Sequence, residues 1–132
     1  MRDFSFELES NRELLSSMLG KIFNHVEVLK NSDEPTTLVF WDTSEKQYIF
    51  EHQQDCCEYV RIVDICGDLE DLVGAPILQA EESCSDATDM VSDCGTWTFY
   101  RFATIKGSVT IRWLGESNGY YSERVYLSHR PF

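Results

Sequence analysis

The chain has 132 residues, 42% of them hydrophobic and 13% aromatic, with 23 acidic against 11 basic side chains and a net charge of −12. That size suits one domain over residues 1–132 with a single core, and the apolar content excludes a wholly disordered chain. No apolar run reaches the roughly 20 residues of a membrane helix. Acids also stand in "MRDFSFELESNREL" where a secretory signal has its apolar stretch, so a cytoplasmic protein that does not engage a membrane is expected.

The first predicted element is a helix. Ser10-Asn11-Arg12-Glu13 has the S-x-x-E form of a capping box, and Leu14, Leu15, Met18 and Leu19 make one apolar stripe before Gly20. So short a helix needs a larger partner, and a sheet is the natural one. Strands are expected over Ile22–Leu29, Thr37–Trp41, Lys46–His52 and Cys57–Ile65, broken by turns at Asn31–Pro35 and Asp42–Glu45. Connections this short favour antiparallel neighbours. Asp68 then caps a short helix over Leu69, Leu72 and Val73, stopped by Gly74 and Pro76.

Ala75–Ala80 reads as a further strand, and the aperiodic, polar "EESCSDATDMVSDCG" as an exposed loop. Thr96–Ile105 and Ser108–Leu114 form a predicted hairpin over Lys106-Gly107, with Val109, Ile111 and Trp113 on its inner face. Tyr120–Leu127 is the last predicted strand. The fold class is α+β: a mainly antiparallel sheet with a short N-terminal helix and a second short helix near 68–73.

Chemistry concentrates in "HQQDCCEYVRIVDICGDLEDLVG", residues 52–74. His52, Asp55, Cys56, Cys57 and Glu58 are metal-ligand types, but structural zinc sites space their cysteines by two to four residues. Adjacent cysteines in a strand face opposite ways, so Cys56 and Cys57 are expected reduced, one inward and one outward, with no metal or other cofactor. The five cysteines are an odd number, which also argues against a secreted disulfide framework. Acids around Cys56 and Cys57 oppose thiolate formation, which weakens a Cys-His nucleophile. There is no phosphate loop, dinucleotide fingerprint or nucleophile elbow. A binding protein is expected rather than an enzyme.

Charge is unevenly spread. Residues 62–100 hold nine acids and no Lys or Arg, and the rest of the chain is nearly balanced. Such a segment repels nucleic-acid phosphates and attracts basic protein surfaces, although acidic stretches often only solvate.

Three stretches carry a family resemblance: "MLGKIFNHVE", "FEHQQDCCEYVRIVDICGDLEDLVGAPILQAEE" and "TWTFYRFATIKGSVTIRWLGESNGYYSERV". In order, and over more than half the chain, they resemble a family of small uncharacterised domains recurrent in bacteriophage and prophage genomes. The resemblance implies a shared fold and brings no activity, cofactor or catalytic residue. Residues 83–95 lie outside the resembling blocks.

A phage setting implies a stoichiometric counter-defence inhibitor, anti-CRISPR action included, in the host cytoplasm. Its acidic surface would mimic nucleic acid towards a basic host protein, such as a nucleic-acid-binding effector, without binding nucleic acid itself. The residues expected to engage that partner are Asp68, Glu70, Asp71, Glu81 and Glu82, with Tyr120 and Tyr121 as aromatic anchors. A second reading is a small-ligand module for a nucleotide signal. There Gly115 and Gly119 would admit the ligand, Tyr120 or Tyr121 would stack on a base, and Arg112 and Arg124 would hold phosphate. A third is a metal or redox accessory domain centred on His52, Cys56 and Cys57.

Overall fold

Strands that bury every second side chain need a partner for the buried face, and here each sheet is the partner of another. The computed structural model describes residues 4–31, 33–43, 46–91 and 93–131, with side chains from Asn11 to Arg130. Among these, eight strands form: β1 (Phe23–Asn31), β2 (Glu34–Asp42), β3 (Lys46–Glu51), β4 (Tyr59–Cys66), β5 (Gln79–Asp86), β6 (Cys94–Thr104), β7 (Gly107–Ser117) and β8 (Tyr126–Pro131). They make two four-stranded antiparallel sheets, ordered β1-β2-β3-β8 and β4-β7-β6-β5. Phe40 and Phe50 of the first sheet meet Phe102 and Tyr100 of the second at ring-centroid distances of 4.9 and 4.8 Å. The fold is therefore mostly β, two facing sheets rather than the expected sheet-and-helix α+β arrangement.

Helix α1 (Phe4–Ser17) flanks the sheets, against β8 and β5. It begins well before Ser10, so the capping-box sequence lies inside the helix instead of opening it; the Ser10 side chain is outside the described residues. Nothing in Phe4–Glu9 breaks a helix, which is why it extends upstream. Leu15 and Met18 enter the core, whereas Leu19 is 49% exposed. Gly20 takes the left-handed conformation expected of a helix stop, at φ 83°.

Val109, Ile111 and Trp113 are buried on one face of β7, as their alternation predicts. Leu15 shares their core cluster, but Phe23, Leu38, Phe40, Tyr48 and Phe50 of the opposite sheet supply much of it. Asp68 caps a 3-10 turn, Leu69–Leu72, by accepting from the Glu70 N–H at 3.0 Å. Leu72 is buried beneath it.

Several predicted boundaries move: β2 begins at Glu34, inside the predicted turn, β7 runs on to Ser117, and the predicted strand Ala75–Ala80 is strand only from Gln79, where β5 begins. The hairpin turns over Ile105-Lys106, because Thr104 pairs with Gly107. Residues 81–86 are strand and not loop: β5 is an edge strand, held by its pairing with β6 despite a polar sequence. The last strand starts at Tyr126, because β7 and β8 belong to different sheets and residues 118–125 carry the chain between them. In the predicted turns, Ser32, Ser44 and Glu45 lie outside the described residues, as does Ser92 in the predicted loop.

Candidate functional site

Acidic side chains on the short turn and on β5 begin the site. Asp68 and Glu70 are exposed and Asp71 is half-buried, its carbonyl accepting from the Thr104 hydroxyl. Glu81 is exposed on β5, opposite Arg101. Gln79 pairs with Ala103, so β5 starts at the same end of the sheet as the 3-10 turn. Four of the five predicted acids thus share that end.

Glu82 does not join them. Strand alternation turns it inward, where it is 7% exposed and pairs with Arg124 Nη2 at 2.8 Å. The Tyr100 hydroxyl and Asn11 Nδ2 also donate to it, the latter at 3.1 Å. Asn11 reaches further: Nδ2 donates to the Val125 carbonyl at 2.9 Å, and Oδ1 accepts from the Leu127 N–H at 3.0 Å. One buried asparagine thereby ties α1 to the open edge of β8. Burial, and then the Glu82 carboxylate, push the Tyr100 phenol well above its usual 10. For Arg124, burial works against the charged form, and Glu82 outweighs it to raise the pKa.

The predicted tyrosines sit elsewhere. β6 and β7 run from Thr104–Gly107 at the acidic end to Cys94–Ser117 at the other, a length of about 33 Å at 3.3 Å per residue. Tyr120 and Tyr121 follow β7 at that far end, in an edge-to-face pair with centroids 5.0 Å apart. Tyr120 is 82% exposed. Asp86, Asp89 and Asp93 are exposed near this end, as Asp86 pairs with Thr96 and Cys94 with Ser117. These three acids belong to the same base-free segment, which was the signal for them.

Tyr121 is half-buried and, with Arg124, lines a cavity of about 310 Å³ that Cys84, Thr98 and Glu123 also border. Both Glu123 oxygens are engaged, by the Thr96 hydroxyl at 2.7 Å and by the Ser117 hydroxyl. Arg112 lies apart, its guanidinium 4.8 Å from the Trp97 ring centroid and 3.4 Å from Asp64. Of the predicted ligand-holding residues, Tyr121 and Arg124 come together and Arg112 does not.

The cysteine pair departs most from expectation. Cys56 and Cys57 precede β4 in a loop, both exposed, and are joined to each other by a disulfide. They are neither reduced nor on opposite strand faces. The loop is built around Glu58, whose carboxylate accepts from the N–H groups of Asp55 at 3.0 Å and Cys56 at 2.8 Å. His52 Nε2 lies 2.8 Å from the same carboxylate, and its Nδ1 lies 2.6 Å from the Arg124 carbonyl. Gln54 Nε2 donates to the Glu58 carbonyl at 2.6 Å and to that of Cys56 at 3.2 Å. The remaining cysteines, Cys66, Cys84 and Cys94, are free and exposed. Among the described residues, no three His, Cys, Asp or Glu side chains are placed to hold one metal ion.

Burial alone would raise the Glu58 pKa, but the Cys56 N–H, His52 and the Asp55 N–H outweigh it and lower it from 4.5 to about 2. A depressed carboxylate stabilises the fold at pH values above 4.5 and loses that contribution as pH falls towards about 2. Melting temperatures of the wild type should therefore fall more steeply across that window than those of Glu58→Gln. Parallel curves for the two proteins would refute the role given to Glu58.

A family model described as a domain of unknown function matches residues 16–127. The chain belongs to the DUF7448 family. No curated protein and no solved structure matches it at a significant level. The DUF7448 match runs through residues 83–95, which the three resembling blocks had left out, and includes Glu58, Glu82 and Arg124. Asn11 stands before it. Among the described residues, no helix is long and apolar enough to cross a membrane.

Proposed function

We propose that the protein is a non-enzymatic binding protein that engages a basic protein surface through its acidic segment. The observation that carries this is the run of nine acids without a base over residues 62–100, of which Asp68, Glu70, Glu81, Asp86, Asp89 and Asp93 are exposed. Like charges held on a folded surface attract a complementary partner and speed its encounter. The resemblance to phage and prophage domains supports a counter-defence role, anti-CRISPR action included, against a host nucleic-acid-binding effector in the cytoplasm. Glu82 serves the interior, so the acids offered at one end are Asp68, Glu70, Asp71 and Glu81. Tyr120 is the aromatic anchor at the other, and a partner reaching both spans about 30 Å.

The experiment is capture from host-cell lysate by the wild type and by the Asp68→Asn, Glu70→Gln, Asp71→Asn, Glu81→Gln variant, at low and high salt. The proposal expects a basic protein retained by the wild type at low salt and lost from the variant, with the melting temperature little changed. Asp68, Glu70 and Glu81 are exposed, Asp68→Asn keeps a capping oxygen, and half-buried Asp71 is replaced by an amide of the same shape. Equal retention by both proteins would remove the acidic surface from the mechanism.

The cavity bordered by Tyr121 and Arg124 favours a second reading, a small-ligand module for a nucleotide signal. Against an anionic ligand stand Glu123 in the wall and the engagement of Arg124 with Glu82. A nucleotide that raises the melting temperature in the wild type and not in Tyr121→Ala would move this reading ahead.

A further inference from the structure

We infer that Cys56 and Cys57 form a thiol–disulfide exchange site that favours cationic or neutral thiols over anionic ones. The loop-closure contribution of a disulfide grows with the length of chain it closes, so a bridge between neighbours constrains the unfolded chain least. It also joins no two elements of the fold. Its position is fixed by other bonds: the Glu58 carboxylate holds the N–H groups of Asp55 and Cys56, and Gln54 Nε2 holds the Cys56 carbonyl. The loop therefore keeps its anchors whether the bridge is closed or open. Both sulfur-bearing residues are exposed, which gives a reductant access.

The selectivity comes from the surroundings. Cys57 borders a cavity of about 270 Å³ together with Asp93, Glu116, Tyr59 and Asn118. Arg61 pairs with Glu116, while Asp93 adds an exposed negative charge. An anionic thiol meets repulsion there and a cationic aminothiol meets attraction. In the reaction, the thiolate attacks Cys57 Sγ, forming a mixed disulfide and releasing Cys56 as a thiolate that takes up a proton. A second thiol of the reductant then attacks the mixed disulfide and frees Cys57. The protein gains two electrons and two protons, and the reductant leaves as its own disulfide.

The test equilibrates the intact protein with oxidised or reduced dithiothreitol, alkylates it and maps the labelled cysteines by mass spectrometry. Cys66, Cys84 and Cys94 should label in both states, Cys56 and Cys57 only in the reduced one, with nearly the same melting temperature in each. Reduction rates, expressed per thiolate, are then compared for cysteamine, 2-mercaptoethanol and glutathione. The expected order is cysteamine first and glutathione last, separated by about five-fold or more at low salt and converging at about 1 M. Asp93→Asn should narrow the separation. Labelling of Cys56 and Cys57 after oxidation would overturn the inference, as would rates indifferent to thiol charge or a large loss of melting temperature on reduction.

Discussion

Trp113→Ala should lower the unfolding free energy by about 3–5 kcal/mol, the range for truncating a large buried aromatic. Trp113 is fully buried near the middle of β7, between Ile62 of β4 and Thr98 of β6, and belongs to the core shared by both sheets. Removing it opens a cavity whose walls are paired strands, and strands held on both sides cannot close in to fill it. The indole Nε1 is buried with no hydrogen-bond partner among the described residues. Trp113→Phe therefore discards an unsatisfied donor while keeping most of the ring, and should cost much less than alanine. Urea unfolding of the two variants measures both. A loss below about 1 kcal/mol for alanine would contradict the facing-sheet core.

The second large effect belongs to Arg124. Arg124→Ala leaves the Glu82 carboxylate buried with, among the described residues, the Tyr100 hydroxyl and the Asn11 amide as its side-chain donors, and should cost about 3–5 kcal/mol. Replacing both charges, as Glu82→Leu with Arg124→Met, avoids the stranded carboxylate and should cost less than Arg124→Ala alone. Tyr100 and Asn11 lose an acceptor in the double variant, so it does not return to wild-type stability. A double-mutant cycle, completed with the single variants Glu82→Leu and Arg124→Met, should therefore show strong non-additivity. Additive costs would mean that Glu82 and Arg124 act independently.

Much of the strand pattern was legible because it is local. Val109, Ile111 and Trp113 announce their inner face by alternation alone, and Asp68 announces a helical turn by its side-chain oxygen. The division into two sheets was not legible, because alternation tells which face of a strand is buried but not which distant strand lies beside it. The pairing of β4 with β7, and of β3 with β8, joins residues far apart in the chain.

Within the candidate site, the polar signals misled in opposite directions. Glu82 resembles its neighbour Glu81 in sequence, yet one residue of strand register separates the interior from solvent. Asn11 looked like part of a capping box, whereas its value lies in satisfying the backbone of Val125 and Leu127, at the start of β8 and more than 100 residues away. Glu58 looked like one acid among many. It organises the loop that carries Cys56 and Cys57, and no spacing rule marks a carboxylate that accepts from the backbone two and three residues upstream. Tyr120 was correctly read as exposed aromatic surface, but the length of β7 places it far from Asp68.

Under the proposed function, acids of the base-free segment drive association with a basic partner. The most direct test is the association rate between the protein and the partner captured from lysate, followed by stopped flow over a range of salt concentrations. For the wild type the rate should be high at low salt and fall steeply as salt rises. For the variant neutralised at Asp68, Glu70, Asp71 and Glu81 it should start lower and change little. Identical rates and identical salt slopes for the two proteins would contradict the claim, leaving those carboxylates with no role beyond solvation.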